Sequence, residues 1–293
     1  MTIIETNMLT EHQRRKLISL QDACNRIEDL HNDTLLTNKF NLDRAMPCFF
    51  LGYSEDSERS RAPGALAAFL SLFHMEPQVM EITAFTSPGS RRNGYFTELF
   101  QAAMRQVRML DVSTLLFQIE SNSSSGMATL RAAFPAATFS HSEYLLSCTS
   151  RPGDGMQPLR MVRVDRDIID LAVDIAVQTF RSDCDAERSH LEAVIDSGVD
   201  DAFIAYDGDE AIGICNRTLT EDSANLFGLG IKPSAQHRGY GKRMLSTMVR
   251  QMLDERTKVT LEVDTANPSA LNLYLHGGFA IEFRTDYYAL TLR

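Results

Sequence analysis

The chain of 293 residues lacks the features that mark membrane, secreted and metal-binding proteins. No run approaches 18 apolar residues, and Met1 to Lys16 is polar and helix-like, without the basic and then apolar layout of a secretory leader. The five cysteines lie far apart, with no C-x-x-C and no paired His/Cys spacing of a zinc site. We therefore expect a cytoplasmic protein with reduced cysteines, no metal ion and no membrane partner.

Basic side chains are also scarce, since 29 Lys and Arg stand against 39 Asp and Glu and the net charge is −10. A nucleic-acid partner would need a dense basic face to displace the counterions of the phosphates, so we expect none. The acidity fits a cationic or amine substrate, but the ordinary role of surface acid in solubility is the better explanation of it.

The length and one short segment suggest two domains. Hydrophobic residues make up 44% and charged residues 23% of the chain, and its length suits two domains of about 150 residues. The segment Thr149 to Pro158 contains two prolines and two glycines between apolar stretches, which is typical of a linker. We expect an N-terminal domain at 1–150, a linker at 151–158 and a C-terminal domain at 159–293.

The two halves resemble each other at a constant offset of 145 residues, and the alignment needs no gap. The matched pairs are Pro88 with Pro233, Arg91 with Gln236, Gly94 with Gly239, Asn122 with Asn267 and Phe134 with Phe279. At the same offset, an apolar stripe in Leu99 to Val107 matches one in Met244 to Met252, with the spacing of a core-facing helix. The pattern indicates one fold present in two copies.

Hydrophobic periodicity predicts an α/β (α+β) fold in each half, a mixed sheet flanked by helices. The strands predicted in the C-terminal half are Leu159–Val164, Ala202–Tyr206, Ala211–Thr218, Asn225–Ile231 and Val259–Asp264, with two closing strands after Gly278. The helices predicted there are Ile168–Phe180, Ala186–Ser197, Gly239–Glu255 and Asn267–His276. The N-terminal half repeats this order, with a first helix around Glu11 to Leu30 and a longer hairpin turn at Ser54 to Pro63.

The segment Leu229 to Lys242, LGIKPSAQHRGYGK, predicts a binding site for an anion. A strand ends before Pro233, and a glycine-punctuated turn leads into a helix. Helix N-termini present unpaired N–H groups and the positive end of the peptide dipoles, and Gly239 and Gly241 let a diphosphate approach the main chain. Two nucleotide folds are excluded, because the chain has neither G-x-G-x-x-G in a repeating βαβ unit nor G-x-x-x-x-G-K-[ST].

Two blocks in the C-terminal half resemble the GCN5-related N-acetyltransferase (GNAT) family. The family signature [Q/R]-x-x-G-x-[G/A] is matched by Gln236 to Gly241, with a proline three places before it. The family's N-x-x-A-x-x-L-Y segment and the G-F that follows are matched by Asn267 to Tyr274 and by Gly278-Phe279. The resemblance is close over the C-terminal half and faint over the N-terminal half.

That resemblance implies acetyl-CoA as co-substrate, with no metal. The main chain of Leu229, Gly230 and Ile231 would pair with the pantetheine arm, His237 to Lys242 would hold the pyrophosphate, and Asn267 would touch the thiol end. The implied cofactor-binding residues are thus Leu229, Gly230, Ile231, Gln236, His237, Arg238, Gly239, Tyr240, Gly241, Lys242 and Asn267. Asn267 before Pro268 also fits a helix N-cap followed by a first-turn proline.

The resemblance further implies two catalytic residues, Tyr274 and Glu262. Tyr274 would protonate the departing thiolate, and Glu262 lies where the ribosomal-protein alanine acetyltransferases of the family carry a general base. Each has a plainer interpretation, since Tyr274 shares a helical face with Leu271 and Glu262 alternates with apolar neighbours in a strand. An ordered water is the alternative base.

At the offset of 145 residues the N-terminal copy lacks this chemistry. Gly241 maps to Phe96, Glu262 to Phe117 and Tyr274 to Thr129. We interpret the N-terminal copy as a degenerate structural partner, with a second weak cofactor site as the alternative.

The resemblance therefore implies an N-acetyltransferase that acts on a primary amine of a small molecule or peptide. The tandem arrangement also resembles mycothiol synthases, which acetylate a cysteinyl amine. A non-catalytic acyl-CoA-binding or regulatory protein is the alternative from another class. The sequence does not predict the oligomeric state.

Overall fold

The computed structural model describes residues 1–31, 34–39, 41–54, 64–153, 155–198 and 200–292. Most of the predicted turn Ser54 to Pro63, and residue 154 of the predicted linker, lie outside these ranges. The chain forms two compact units, unit 1 (Met1–Ser142 with Phe283–Arg293) and unit 2 (Glu143–Glu282). Both have the predicted mixed α/β fold.

Unit 1 contains a sheet in the order β1-β2-β3-β4-β5-β12, in which only β4 and β5 are parallel. Its elements are β1 (Thr2–Thr6), α1 (Glu11–Glu28), β2 (Phe49–Tyr53), β3 (Leu66–Glu76), β4 (Val79–Thr86), α2 (Tyr95–Val107), β5 (Thr114–Glu120), α3 (Ser124–Ala133), the start of β6 (Thr138–Cys148) and most of β12 (Ala280–Thr291). The expectation of helix-like structure from Met1 was wrong for β1, because Ile3 and Ile4 pack on the core while the strand pairs with β2.

Unit 2 contains a sheet in the order β6-β11-β10-β9-β8-β7, in which only β10 and β11 are parallel. Its further elements are β7 (Arg160–Arg163), α4 (Ile169–Phe180), α5 (Cys184–Ser197), β8 (Asp200–Asp207), β9 (Glu210–Leu219), β10 (Ser223–Ile231), α6 (Tyr240–Glu255), β11 (Lys258–Asp264) and α7 (Pro268–His276). Helices α6 and α7 pack on one face of the sheet and α4 and α5 on the other.

The last strand of each half of the chain completes the sheet of the other half. Residues Glu143–Cys148 of β6 pair with β11 in unit 2, and Thr285–Thr291 of β12 pair with β5 in unit 1. The prediction of two closing strands after Gly278 was wrong, because one strand of 12 residues runs there. The compact units accordingly differ at their ends from the expected domains 1–150 and 159–293.

The two halves repeat each other in backbone conformation as well as in sequence. Short 3-10 helices at Pro88–Ser90 and Pro233–Ala235 precede the two long helices, and the left-handed φ of 83° at Gly94 matches 81° at Gly239. The residues two places earlier, Arg92 and His237, are left-handed too, at 64° and 62°. Around this loop the offset of 145 residues is correct.

The offset is not constant along the chain, so the gapless alignment was wrong. A β-bulge between Phe227 and Gly230 of β10 adds one residue that β4 lacks. Strands β5 and β11 pair with their parallel neighbours from their first residues, Thr114 and Lys258, which are 144 residues apart. With an offset of 144 residues, the predicted counterparts in this part of the fold change by one position. Glu262 corresponds to Gln118, Tyr274 to Leu130, and the helix cap Asn267 to the helix cap Ser123.

Candidate functional site

The parallel strands β10 and β11 separate part of the way along unit 2. They pair only where Ser223–Asn225 lies beside Lys258–Thr260. Strand β10 nevertheless remains paired with β9 as far as Ile231 opposite Gly213. From Leu226 onward, the edge of β10 that faces β11 therefore makes no pairing with β11. The separation opens a cleft at the carboxyl end of the two parallel strands.

The main chain at the end of β10 is oriented by its pairing with β9. The N–H of Lys232 donates to the carbonyl of Ile212 at 2.9 Å, so Lys232 faces β9. Because successive residues of a strand direct their N–H and C=O groups to opposite sides, the N–H and C=O of Ile231 face the cleft. Gly230 lies opposite Ile214 and faces β9, and Leu229 lies within the bulge. Of the three residues predicted to pair with pantetheine, Ile231 is the one whose orientation fits.

Glycine is required at position 230 because α4 packs against it. A Cβ at Gly230 would lie 2.2 Å from Cγ2 of Thr179 and 2.8 Å from the ring of Phe180. The last turn of α4 therefore borders the end of β10, on the sheet face opposite α6 and α7.

The loop between β10 and α6 presents an open helix N-terminus. Helix α6 begins at Tyr240, and its N-cap Gly239 has no side chain to satisfy the first amides. Among the described residues, no side chain or backbone beyond its chain neighbours lies within 4 Å of the position that a Cβ would take at Gly239. At Gly241 a Cβ would only touch Leu273 at 3.7 Å and Ile231 at 4.0 Å. The first-turn amides are therefore accessible to an anion.

The side chains of the predicted loop residues do different things. His237, Arg238 and Lys242 are exposed and bring cationic or polar groups to the rim of the loop. Gln236 instead donates its Nε2 to the carbonyl of Ile231 at 2.9 Å, which joins the loop to the end of β10. Tyr240 directs its hydroxyl away from the loop to Asp207 at 2.6 Å.

Asn267 is a helix cap, as one of its two interpretations predicted. Its Oδ1 accepts a hydrogen bond from the N–H of Ala270 at 3.0 Å, and Pro268 begins α7. The cap uses one of the two lone pairs of Oδ1, and the amide nitrogen of the side chain remains for a ligand.

Glu262 lies on the face of β11 opposite α6 and α7, while Leu261 and Val263 are buried against those helices. In the pairing of β11 with β6, Glu143 lies opposite Asp264 and diagonal to Glu262, so three carboxylates share this face. Burial raises the pKa of Glu262, and the charge of Glu143 raises it further. The side chain is nevertheless exposed to solvent, as expected for a group that lies in a cleft.

Tyr274 lies in the core beside α6 but is not wholly enclosed. Only 9% of the residue is exposed, and its ring centroid is 6.1 Å from that of Phe279. Burial raises the pKa of Tyr274, and the neighbouring Cys215 raises it further. Within the described residues the hydroxyl has no hydrogen-bond partner, so its proton is available to a ligand and remains bound at neutral pH.

The equivalent region of unit 1 is filled by its own side chains. Nε of Arg91 contacts the carbonyl of Thr86 at 3.4 Å, as Gln236 contacts Ile231 in unit 2. Where β4 and β5 separate, the hydroxyl of Thr83 donates to Gln118 at 3.0 Å across the gap.

Helix α1 adds a carboxylate at the N-terminus of α3 in unit 1. Glu28 accepts hydrogen bonds from the N–H and hydroxyl of Ser125, at 2.9 and 2.7 Å, and from the hydroxyl of Ser124 at 2.8 Å. Burial acts to raise the pKa of Glu28, but these bonds and the charge of Arg91 outweigh it and hold the pKa below its ordinary value. An internal anion thus occupies this helix end.

A phenylalanine of unit 1 occupies the position that corresponds to Gly241. Phe96, at the place of Gly241, packs against Phe100 and Phe134 with ring centroids 5.9 and 6.1 Å away. Its ring therefore joins the core rather than standing over the loop.

Sequence reasoning missed the contacts that hold the loop. Gln236 belongs to a sequence motif, but nothing in the sequence indicates that it binds the strand, and nothing indicates that Asp207, just after the predicted strand Ala202–Tyr206, contacts the first residue of α6. Among the described residues, no three His, Cys, Asp or Glu side chains are grouped to hold a metal ion. No helix in the described ranges is long and apolar enough to cross a membrane.

Comparison with known proteins adds a family match and related folds. Residues 168–279 match the family described as Acetyltransferase (GNAT) family. The [ribosomal protein bS18]-alanine N-acetyltransferase of Haemophilus ducreyi is 35% identical over 82 residues, which are 27% of this chain. The match covers 55% of that curated relative, so the chain spans about half of its length.

Two solved structures share the fold over nearly the whole chain. A GCN5-related N-acetyltransferase from Sphaerobacter thermophilus has a TM-score of 0.74 at 15% identity, covering 99% of this chain and 96% of the other. A tandem GNAT protein from the clavulanic acid biosynthesis pathway has a TM-score of 0.67 at 14% identity, covering 99% and 98%. At these identities the likeness establishes the two-unit fold.

Proposed function

The chain belongs to the acetyltransferase (GNAT) family through residues 168–279, and from this premise we propose that it transfers an acetyl group from acetyl-CoA to a primary amine of a small molecule or peptide. The observation that carries the proposal is the coincidence, within unit 2, of a cleft between β10 and β11 with an open helix N-terminus at Gly239. The cleft suits an extended thioester arm, and the helix end suits a diphosphate.

The residues present fit acetyl-CoA. The main chain at Ile231 faces the cleft, and the first-turn amides of α6 lie beside empty space at Gly239. Arg238 and Lys242 add cationic groups at the rim. Acetyl-CoA supplies the activated acyl group when bound, and direct transfer to the amine needs no covalent intermediate on the protein.

The side chains of unit 2 then divide the proton transfers. Glu262, or a water beside it, takes a proton from the ammonium form of the acceptor, because only the free amine is a nucleophile. The N–H of Ile231 stabilises negative charge on the carbonyl oxygen as the C–N bond forms. Tyr274 gives its proton to sulfur as the C–S bond breaks, and the second proton lost by the amine nitrogen restores the phenol through solvent. The raised pKa of Tyr274 keeps its proton in place at neutral pH until transfer.

The acceptor side of the cleft is acidic. Glu262, Asp264 and Glu143 share one face of the sheet, which favours an acceptor that arrives as a cation. The curated relative is named for the alanine of a ribosomal protein, which supports a peptide amine as one candidate. A small-molecule amine, as in mycothiol-synthase-like enzymes, is the other.

Unit 1 acts as a structural partner in this proposal. Leu130 and Gln118 replace the candidate acid and base, and Glu28 supplies an anion to the N-terminus of α3, the counterpart of α7. Calorimetric titration with acetyl-CoA should therefore give one site per chain. Two sites of equal affinity would contradict the degeneracy of unit 1.

Release of CoA thiol tests the activity itself. The full chain is mixed with acetyl-CoA and a panel of peptide N-termini, diamines and cysteinyl amines, and thiol is followed with a chromogenic disulfide. Amine-dependent release supports the transferase. Tight binding of acetyl-CoA without release for any amine would favour the alternative of a non-catalytic acyl-CoA-binding protein.

A further inference from the structure

The turn between β8 and β9, Asp207-Gly208-Asp209-Glu210, contacts both ends of the loop that precedes α6. At one end, Oε1 of Glu210 pairs with Nζ of Lys232 at 2.9 Å, just before the 3-10 helix Pro233–Ala235. At the other end, Asp207 accepts a hydrogen bond from the hydroxyl of Tyr240 at 2.6 Å. Two carboxylates of one tight turn thus bracket the loop.

Arg243 strengthens the second of these contacts. Its Nη1 pairs with Asp207 at 3.2 Å, its Nε donates to the carbonyl of Gln157 at 3.0 Å, and its guanidinium lies 5.5 Å from the centre of the Tyr240 ring. The pKa of Asp207 is lowered, chiefly by the hydrogen bond from Tyr240. Desolvation acts to raise it, but the hydrogen bond and charge of Arg243 lower it further. Asp207 is therefore charged across the neutral range.

The turn itself is held in place from β7. Arg160 donates to the carbonyl of Gly208 at 3.2 Å, and its guanidinium lies 4.0 Å from the centre of the Tyr206 ring. The loop before α6 is thus attached to a hairpin that is anchored at its other side.

Unit 1 shares the loop conformation but lacks the two cations that pair with the turn in unit 2. At the offset of 145 residues that applies here, Ser87 replaces Lys232 and Glu98 replaces Arg243. A serine has no positive charge to pair, and a glutamate at position 98 carries the opposite charge. The loop conformation therefore forms without these two ion pairs, which points to a role in what the loop binds. The tyrosine is common to both units, because Tyr95 lies at the place of Tyr240.

We propose that the β8–β9 turn is a positioning element for the phosphate-binding loop: Asp207 and Glu210 hold the two ends of the loop, so that its amides are arranged for a diphosphate before acetyl-CoA binds. This inference rests on the proposed function. Its physical basis is preorganisation, because a loop that is already ordered loses less conformational entropy when ligand binds.

Simple electrostatics predicts the opposite effect of removing these carboxylates. Asp207 and Glu210 are negative charges near an anion site, so Coulomb repulsion alone would make Asp207→Ala bind acetyl-CoA more tightly. A positioning role makes the same variant bind more weakly. The sign of the change in affinity therefore separates the two effects.

The experiment compares Asp207→Ala, Glu210→Ala and Tyr240→Phe with Asp209→Ala in the full chain. Asp209 is the matched control, because it belongs to the same turn, carries the same charge and makes no polar contact among the described residues. Calorimetry should show the Kd for acetyl-CoA rising about tenfold for Asp207→Ala and somewhat less for the other two, the scale of one charge-assisted hydrogen bond. Asp209→Ala should stay within about twofold of wild type or bind slightly more tightly.

Kinetics and a double variant complete the test. The KM for acetyl-CoA should rise with Kd while kcat at saturation stays near that of wild type. Asp207→Ala with Tyr240→Phe should be little weaker than Asp207→Ala alone, because both remove one contact. Thermal melting identifies any variant that fails to fold. The acetyl-CoA affinities of the folded variants then decide whether the turn positions the loop.

Unchanged or tighter binding by the folded Asp207→Ala and Tyr240→Phe variants would overturn the positioning role while leaving the proposed function intact. Absence of acetyl-CoA binding by the wild-type chain would overturn the proposed function and the inference with it.

Discussion

Gln118 occupies in β5 the place that Glu262 occupies in β11, since each is the fifth residue of a strand of seven that pairs in parallel from its first residue. The two side chains have nearly the same shape, but an amide cannot accept a proton at neutral pH. Gln118 instead accepts a hydrogen bond from Thr83 across the gap between β4 and β5. One copy of the fold thus retains a carboxylate where the other has its neutral isostere.

Glu262→Gln gives unit 2 the residue that unit 1 has at this position. The variant should slow acetyl transfer without weakening acetyl-CoA binding. Loss of a positioned base costs about 10²- to 10⁴-fold in kcat. Amines that are protonated at neutral pH should suffer more than amines of low pKa, and the acidic limb of the pH–rate profile should disappear. Equal rates for both classes of amine would favour water as the base.

The same substitution should stabilise the fold at neutral pH. Because the pKa of Glu262 is raised in the folded chain, the folded state binds its proton more tightly, and stability is lost as pH rises from the unfolded pKa through the folded one. Glu262→Gln removes that loss. Thermal melting should therefore show a higher Tm than wild type at pH 7 and a vanishing difference near pH 4, whereas a lower Tm at pH 7 would contradict the raised pKa.

Much of this architecture follows from the sequence because the signals are local. The loop was predicted from Pro233, Gly239 and Gly241, and its helix begins at Tyr240, one residue after the predicted start. The register of β11 was not predictable in this way. It depends on the segment between the loop and the strand, which is one residue shorter from Gly239 to Lys258 than from Gly94 to Thr114, and no local signal marks that difference.

Gly239 and Gly94 offer a matched pair for testing the phosphate loop. Both are left-handed, at 81° and 83°, and among the described residues a Cβ at either would meet nothing within 4 Å beyond its chain neighbours. Alanine therefore strains each backbone alike, by about 1–2 kcal/mol. Gly239→Ala should also place a methyl group where the diphosphate approaches. We expect similar losses in Tm for the two variants but weaker acetyl-CoA binding only for Gly239→Ala.

Gly241→Phe should weaken acetyl-CoA binding more severely than Gly241→Ala. A methyl group at this position makes ordinary contacts with Leu273 and Ile231, whereas a ring must displace them at the edge of the cleft. Calorimetry on the folded variants measures the effect. An unchanged Kd for Gly241→Phe would mean that the cofactor does not run along this part of β10.

The exchange of strands between the halves predicts which fragments fold. A fragment of residues 159–293 lacks Glu143–Cys148, so β11 loses its antiparallel neighbour and the core loses Leu146. An exposed strand edge of this kind promotes aggregation. A fragment of residues 143–282 retains the whole of unit 2.

Circular dichroism and calorimetry should therefore show cooperative melting and acetyl-CoA binding for 143–282 but not for 159–293. If 159–293 binds acetyl-CoA as the full chain does, β6 is dispensable. The linker pattern at Thr149 to Pro158 did not predict this exchange, because strand pairing between distant segments leaves no local signal in the sequence.

Tyr274 has two roles open to it, and one substitution separates them. Its ring belongs to the core between α6 and α7, while its hydroxyl has no partner among the described residues. Tyr274→Phe keeps the ring and removes only the proton donor. A packing role alone predicts nearly normal turnover and a small change in Tm.

An acid role predicts that Tyr274→Phe lowers kcat by about 10²- to 10⁴-fold with a much smaller change in the Kd for acetyl-CoA. Because burial raises the pKa of Tyr274, wild-type activity should not fall on this group's account until the pH exceeds the ordinary range of a phenol. Leu130, which fills the equivalent place in unit 1, gives the control Leu130→Ala, expected to lower Tm without altering the Kd. Single-turnover measurements place the effect on chemistry rather than product release. Retention of more than half of the wild-type single-turnover rate by Tyr274→Phe would remove the acid assignment and leave Tyr274 as a core residue.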